Sequence, residues 1–314
     1  MKAVRLAMVC AFLIGIAFFA GCFPSDNTDN ASDDAQGDDA DDDASDDTGG
    51  DDDVQPLVVT FFNVGLGDST FVETPDGVRM LVDGGSTGEG QFTICPYFAE
   101  HGVTSLDIMV LTHPHYDHDG GLSEVFACVS SVGQLWTNGQ TLDDEAYNAF
   151  AAAVLAWGGT AQVPAKGDVL DVGTETTATV LHTYAGYEGT DATPVNNNSM
   201  ALLLTHADGR IFLGADLEEQ GQEDVVADWP DGLASDIVKV PDHGSDPHDA
   251  ALVTDAQADY AVISVGENDL GYPGQPTIDD WTASGTTVYR TDEDGTVRMT
   301  LTADGITVET GVTK

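Results

Sequence analysis

Positive charge is what this chain lacks most. It holds 9 Lys and Arg against 55 Asp and Glu over 314 residues, a formal net charge of −46. So few cations cannot neutralise a long row of phosphates, which disfavours nucleic acid as a partner held by its backbone. Cysteine is scarce, with Cys10, Cys22, Cys95 and Cys128 the whole set. No apolar run long enough for a membrane span follows residue 21, which excludes a polytopic channel. There is no Gly-x-Ser-x-Gly nucleophile elbow, no phosphate-loop motif and no internal repeat of 20–50 residues.

The amino-terminal 53 residues are of a different kind from the rest. Lys2 and Arg5 precede an uncharged apolar run from Leu6 to Phe19, shorter than the ~20 residues of a membrane helix and suited to a signal peptide over 1–21. Phe19-Ala20-Gly21-Cys22 resembles a bacterial lipobox, and that resemblance implies cleavage before Cys22 and its lipidation, with Phe19 departing from the usual Leu. Residues 23–53 contain fourteen Asp, no Lys or Arg and one large apolar residue, Phe23. Such a segment cannot offset its ordering entropy, and like charges extend it, so 22–53 reads as an acidic disordered tether. Its Asp spacing is irregular and lacks the glycine pattern of calcium loops. Together these features predict an exported lipoprotein attached to a membrane through its amino-terminal lipid. With Phe23 rather than Asp after the lipid-site cysteine, the outer membrane or cell surface is the expected location.

The remaining residues, 54–314, suffice for one sizeable core. They carry seven basic and 41 acidic residues, a formal charge near −34, a negative field that repels polyanions at moderate ionic strength and resembles surfaces from salty habitats. An oxidising compartment favours a disulfide between Cys95 and Cys128. Strands are expected at Leu57–Asn63, Ser69–Glu73, Val78–Val82 and Leu106–Leu111, then at Ala178–His182, Ser199–Thr205, Arg210–Leu213, Ile237–Val240, Tyr260–Val265, Thr287–Arg290, Thr296–Thr300 and Gly305–Thr310. Helices are expected at 96–101, Leu142–Trp157 and Leu217–Asp228. Strand runs interleaved with few helices suit sheets covered by helices on their outer faces.

Thr112-His113-Pro114-His115-Tyr116-Asp117-His118-Asp119-Gly120-Gly121 places three imidazoles and a carboxylate within six positions, directly behind an apolar strand. On an extended segment His113 and His115 face the same way. Asp117 and His118 turn off that line and can serve a second metal. Imidazole and carboxylate donors suit zinc, and also manganese or iron. Elsewhere His101 and His206 read as surface or structural residues, and His248 lies within reach of the rim of a site at His243.

The His-x-His-x-Asp-His pattern resembles that of the metallo-β-lactamase superfamily. Asn63-Val64-Gly65-Leu66-Gly67-Asp68, Leu81-Val82-Asp83-Gly84-Gly85, Asn196-Asn197-Asn198-Ser199, Gly214-Ala215-Asp216 and Lys239-Val240-Pro241-Asp242-His243-Gly244-Ser245 follow in the order of the extracellular domain of ComEC competence proteins. Ser264–Asn268 and Thr291–Gly295 continue the likeness, which spans Leu57 to Thr300. It implies an α+β fold, a four-layer αββα sandwich with a metal site at one edge between the sheets. It implies two divalent ions, zinc first and manganese second. His113 and His115 would bind one, Asp117, His118 and His243 the other, and Asp216 both, with Asp117, Asp216 and His243 taking part in catalysis. Asp83, Asn198 and Ser199 would support the ligands from behind.

The departures are specific. Where the superfamily commonly supplies a third His to the first metal, this chain has Asn198 and Ser199, with His182 nearby as a substitute. Asp242 replaces one His of a His-His pair, Tyr272-Pro273 replaces a His-Pro, and Asn63 and Leu66 alter the first turn. The leading expectation is a hydrolase using a metal-bound hydroxide, on phosphodiesters or another small-molecule ester or lactam. The competing expectation is a non-catalytic metal-binding surface protein that keeps the fold.

Overall fold

The computed structural model describes residues 56–207 and 209–311. The signal-peptide reading, Cys22 and the acidic tether therefore lie outside the described residues. β1 (Leu57–Phe61), β2 (Thr70–Glu73), β3 (Arg79–Val82), β4 (Leu106–Leu111), β5 (Val132–Thr137) and β6 (Ala161–Gln162) come first in the chain. β7 (Val169–Asp171), β8 (Thr177–His182), β9 (Ala201–His206), β10 (Gly209–Leu213), β11 (Ile237–Lys239), β12 (Tyr260–Ile263) and β13 (Thr287–Arg290) follow. β14 (Val297–Thr302) and β15 (Gly305–Thr310) close the set. One sheet has the order β15-β14-β1-β2-β3-β4-β5-β6, the other β13-β12-β11-β10-β9-β8-β7.

Within each sheet the pairing changes character. β3, β4, β5 and β6 run parallel, whereas β15, β14, β1, β2 and β3 pair antiparallel. In the second sheet β10 to β13 are parallel and β7 to β10 antiparallel. The helices are α1 (Cys95–Glu100), α2 (Tyr116–Asp119), α3 (Leu122–Cys128), α4 (Glu145–Trp157), α5 (Ala192–Asn196), α6 (Glu219–Asp228), α7 (Ala250–Ala256), α8 (Gln275–Ala283) and α9 (Thr291–Asp294).

Side-chain alternation explains the layering. In β9, Leu202 and Leu204 join Val59, Val110 and Trp136 between the sheets. Their neighbours Ala201 and Leu203 face outward onto Val225, Leu252 and Trp281 of α6, α7 and α8. On the other side, Leu81, Met109 and Leu111 pack against Tyr97, Phe98, Leu122, Val125 and Phe150 of α1, α3 and α4. Strands buried on both faces read as continuous apolar runs rather than alternating ones. The result is a four-layer αββα sandwich, an α+β fold.

Several elements were silent in the sequence. β5 carries Gly133 and Gln134, both exposed, and so lacks an apolar run. α3 and α7 have seven residues each, too short for a helical period to stand out. Cys95 at the start of α1 and Cys128 at the end of α3 form a disulfide with Cα atoms 6.1 Å apart, joining two helices of the same outer layer. No helix among the described residues is long and apolar enough to cross a membrane.

Candidate metal centre

The parallel blocks of the two sheets end at one edge, and the conspicuous side chains leave from those ends. Asp83 follows β3, His113 follows β4, Asp216 follows β10, His243 follows β11 and Ser264 follows β12. Among the described residues five non-glycine positions have positive φ, and Asp83, Ala215, Asp242 and His243 are four of them. Strained backbone of this kind persists only where the surroundings enforce it, and it gathers at functional sites. Gly67 serves the same edge: a Cβ there would stand 2.4 Å from the Asp117 carbonyl oxygen, which accepts the Asp68 N–H at 3.1 Å. Gly121 packs so closely on the Gly84 carbonyl that a Cβ would fall 2.0 Å from its oxygen.

Asp216 is the centre of the arrangement. Its Oδ2 lies 3.0 Å from His118 Nε2, 3.2 Å from His243 Nε2 and 3.8 Å from His113 Nε2. Asp117 Oδ2 lies 3.4 Å from His243 Nε2. His113 Nε2 and His115 Nδ1 are 2.9 Å apart. His113, His118, His243 and Asp216 are all buried. His115 is the extended residue before α2, and the single turn of α2 swings Asp117 and His118 toward Asp216.

The imidazoles are held from behind. His118 Nδ1 lies 2.9 Å from Asp83 Oδ2, and Asp83 accepts the Thr112 N–H at 2.9 Å and the Thr112 hydroxyl at 2.7 Å. His243 Nδ1 faces the Ser264 carbonyl at 2.9 Å. A carbonyl only accepts, so Nδ1 donates and Nε2 is the atom presented to Asp216.

Burial and charge set the protonation. Burial works against a charged Asp216, but His118 and His243 outweigh it and hold the carboxyl well below its ordinary value. Burial likewise opposes charge on His118 and His243, and is overcome for His118 by Asp216 and Asp83, for His243 by Asp216 and Asp117, so both are raised. His113 is lowered by burial and then by His118. In the metal-free protein His118 Nε2 is hydrogen-bonded to Asp216 Oδ2 at 3.0 Å, and a cation would compete for the same lone pairs.

Whether the residues fit a metal is decided by atoms left over. Asp216 Oδ1 and His243 Nε2 are buried with no hydrogen-bond partner. Ligand atoms of Asp117, His118, Asp216 and His243 lie within 4.8 Å of one another. This donor set fits a divalent cation. Asp68, Asp83 and His118 form a second acidic group of the same span. In that group Lys239 pairs with Asp68 Oδ2 and Thr112 bonds Asp83, while Asp68 Oδ1 is buried without a hydrogen-bond partner. His113 and His115, beside Asp216, offer donors for a further ion.

The Asn-rich segment does something other than hold metal. The Asn198 carboxamide accepts from Ala185 N and Tyr187 N and donates to the carbonyls of Tyr187 and Pro194, all at 2.8–3.2 Å. It clamps the loop before α5 and touches none of the ligand histidines. Asn197 accepts from Glu218 N and Gly221 N at the start of α6, and Asn196 donates to Asp242 and Glu218. Ser199 Oγ is buried without a partner, and the Ser199 carbonyl faces His182 Nδ1 at 3.0 Å. His182 thus bonds the backbone of this segment. His248 is turned to Thr277 and Asp280 of α8 at 3.1 Å each, away from the centre, and His101 stacks on Tyr97.

Lys239 is central to the geometry, although its motif alone assigns it no role. Lys239, 2% exposed, bonds the Ala215 carbonyl at 2.9 Å, lies 3.7 Å from Asp216 Oδ1 and pairs with Asp68. Burial disfavours its charge, but Asp68 and Asp216 more than compensate and raise its pKa. The signal was present: a lysine closing an apolar strand in a chain with very few cations.

Comparison with known proteins agrees with this edge. The model of the metallo-beta-lactamase superfamily matches residues 62–127. ComE operon protein 3 of Bacillus subtilis (strain 168) is 26% identical over 258 residues, covering 76% of this chain and 32% of that protein. Competence protein ComA of Neisseria gonorrhoeae is 27% identical over 253 residues, covering 79% of this chain and 33% of that protein. The chain thus spans about a third of the length of these relatives. Among solved structures, CmlA, a diiron beta-hydroxylase from Streptomyces venezuelae, matches with a TM-score of 0.50 at 14% identity, over 79% of this chain and 54% of that one. Family model and relatives agree in what they resemble: residues 62–127 match the metallo-beta-lactamase superfamily, and the wider chain is similar to the ComEC-like competence proteins.

Proposed function

We propose that this protein is a metal-dependent hydrolase whose substrate is a phosphodiester. The observation that carries the reading is the convergence of three imidazole Nε2 atoms on Asp216 Oδ2, at 3.0, 3.2 and 3.8 Å, with Asp117 alongside. His113 and His115 would hold one divalent ion, Asp117, His118 and His243 the other, with Asp216 shared; zinc suits the donors best and manganese next. Such ions supply Lewis acidity and activate water near neutral pH. The chain's own residues orient the imidazoles through Asp83 and the Ser264 carbonyl. Buried Asp242, pushed up to about 7 by burial and then by Asp216, and Tyr272, whose ring centroid lies 6.2 Å from that of His243, border the centre where the ComEC pattern has histidines.

The charge near −34 turns the substrate preference away from long nucleic acid and toward small or neutral-flanked phosphodiesters. The signal-peptide and lipobox readings support an exported, lipid-anchored form at the outer membrane or cell surface. Elemental analysis of the purified full chain, beside a His115→Ala, His118→Ala double variant, tests the centre. About two metals per chain, lost in the variant, with turnover of bis(p-nitrophenyl) phosphate, is the expected result. Metal uptake with hydrolysis of carboxyl esters only would overturn the substrate class.

A second reading rests on the substituted positions. The first pair of histidines lacks a third imidazole, since Asn198 is fully engaged with its own loop, and Asp242 stands in for a histidine. A surface protein that binds metal without turnover would show full metal occupancy and no hydrolysis of any ester.

A further inference from the structure

A cavity of about 850 Å³ lies at the carboxyl ends of β5, β6 and β8, beside α6. Its volume falls in the ~300–1,000 Å³ range of small-molecule sites. β8 points the same way as β10, and β5 and β6 the same way as β4. The cavity therefore opens on the edge that carries the metal centre, next along it. The segment Asn198–Met200 separates the two. Asn138 bonds the Asn198 carbonyl, His182 faces the Ser199 carbonyl, and Met200 N donates to Thr112 O beside His113.

The lining is rich in acceptors. His182 is 2% exposed, and its Nδ1 faces a carbonyl that can only accept. Burial lowers its pKa, so the ring is neutral with the proton on Nδ1, and Nε2 is a lone pair. His182 and Thr183 line the cavity, and His182 Nε2 and the Thr183 hydroxyl are buried with no hydrogen-bond partner. Buried acceptors left open in a native fold call for an explanation such as a ligand or water.

Asp224 and Asp228, one helical turn apart on α6, add two carboxylates. Asp224 accepts the Tyr187 hydroxyl at 2.7 Å, and Asp228 accepts the Lys166 ammonium at 2.5 Å. Lys166, already paired, is the only cation in the lining, so a phosphate or carboxylate would meet net negative charge. Pro164, Val163 and the half-exposed ring of Tyr184 supply apolar walls. The complement of such a surface brings hydroxyl donors, carries no negative charge and has an apolar face to lay on Tyr184.

We propose that this cavity binds an uncharged, hydroxyl-bearing ring of the sugar class, as the part of the substrate next to the bond cleaved at the metal centre. The binding half stands on the cavity alone, and the substrate half rests on the hydrolase reading. The full chain, stripped of metal, is titrated with methyl glucoside and separately with inorganic phosphate while the His182 imidazole nitrogens are followed by NMR. Methyl glucoside is expected to move the His182 resonances saturably and leave His243 unmoved. Binding is expected to weaken by about tenfold in His182→Phe, one hydrogen bond lost, and also in Val163→Trp, a change at an exposed rim position that tests the cavity even if the first variant misfolds. Saturation by phosphate alone, or no response to the sugar up to its solubility, overturns the proposal. Because the titration needs no metal, a failed hydrolase reading would show separately as lack of turnover. With metal restored, Val163→Trp should raise KM for a sugar-bearing phosphodiester and leave that for bis(p-nitrophenyl) phosphate unchanged; an equal effect on both overturns the substrate half.

Discussion

His118 and Asp83 stand 35 residues apart in sequence, and their side chains meet at 2.9 Å. Because the Asp83 oxygens also receive the N–H and hydroxyl of Thr112, the carboxylate is locked and fixes the tautomer and tilt of the imidazole. Supporting contacts of this kind tune metal affinity without touching the ion. Asp83→Asn is expected to weaken zinc binding by about 10–100-fold, read by competition with a chromophoric chelator, with the melting temperature of the metal-free protein recorded as the control for folding.

The protonation pattern predicts a pH dependence that metal abolishes. His118 and His243 are raised above 6.5 by their carboxylate neighbours in spite of burial. Their contribution to stability is fully present below that unfolded value and is lost as pH rises through the higher folded values. Melting temperatures of the stripped protein should therefore fall across mildly alkaline pH. Saturating zinc, which takes the place of those protons, should flatten the curve. A stripped protein with constant stability through that window would contradict the assignment.

Lys239 and Asp68 form a buried ion pair. Removing one partner leaves a charge without compensation, a loss of roughly 3–5 kcal/mol. Lys239→Met should cost about that much in urea unfolding, whereas Lys239→Met combined with Asp68→Leu should recover much of it. A single variant as stable as the parent would show that the pair is dispensable.

The Cys95–Cys128 disulfide closes a separation of 33 residues. Loop-closure entropy for that length corresponds to about 3–4 kcal/mol. Changing both residues to Ser should lower unfolding stability by up to that amount and leave the metal content intact, since neither cysteine touches the centre. Loss of metal in the variant would mean that α1 and α3 brace the site more than the contacts indicate.

Much of the sandwich was legible because burial on both faces writes itself into composition. Leu57–Phe61, Leu106–Leu111 and Ala201–His206 are nearly unbroken apolar runs, and their strands lie where those runs do. β5, with two exposed residues in its first half, and the seven-residue α3 and α7 gave no such periodicity. Their positions are dictated by the neighbours they cover. The Asn198 side chain shows a different limit. A polar residue next to a metal motif is equally compatible with holding a ligand or holding a loop, and only its four partners distinguish the two.

The sequence by itself determined the chemistry on offer. Three imidazoles and a carboxylate within six positions behind a buried strand can do little but converge, because a strand end and one helical turn leave few directions. It also determined that the field around that chemistry is strongly negative. Only the tertiary structure decided that Asp216, 98 residues beyond His118, is the carboxylate on which the histidines close. The same holds for Lys239 balancing Asp68 beneath it and for His182 opening onto a neighbouring cavity. The physical reason is that these relations depend on which strand ends meet at one edge, and strand order is set by the packing of two sheets rather than by any local run of residues.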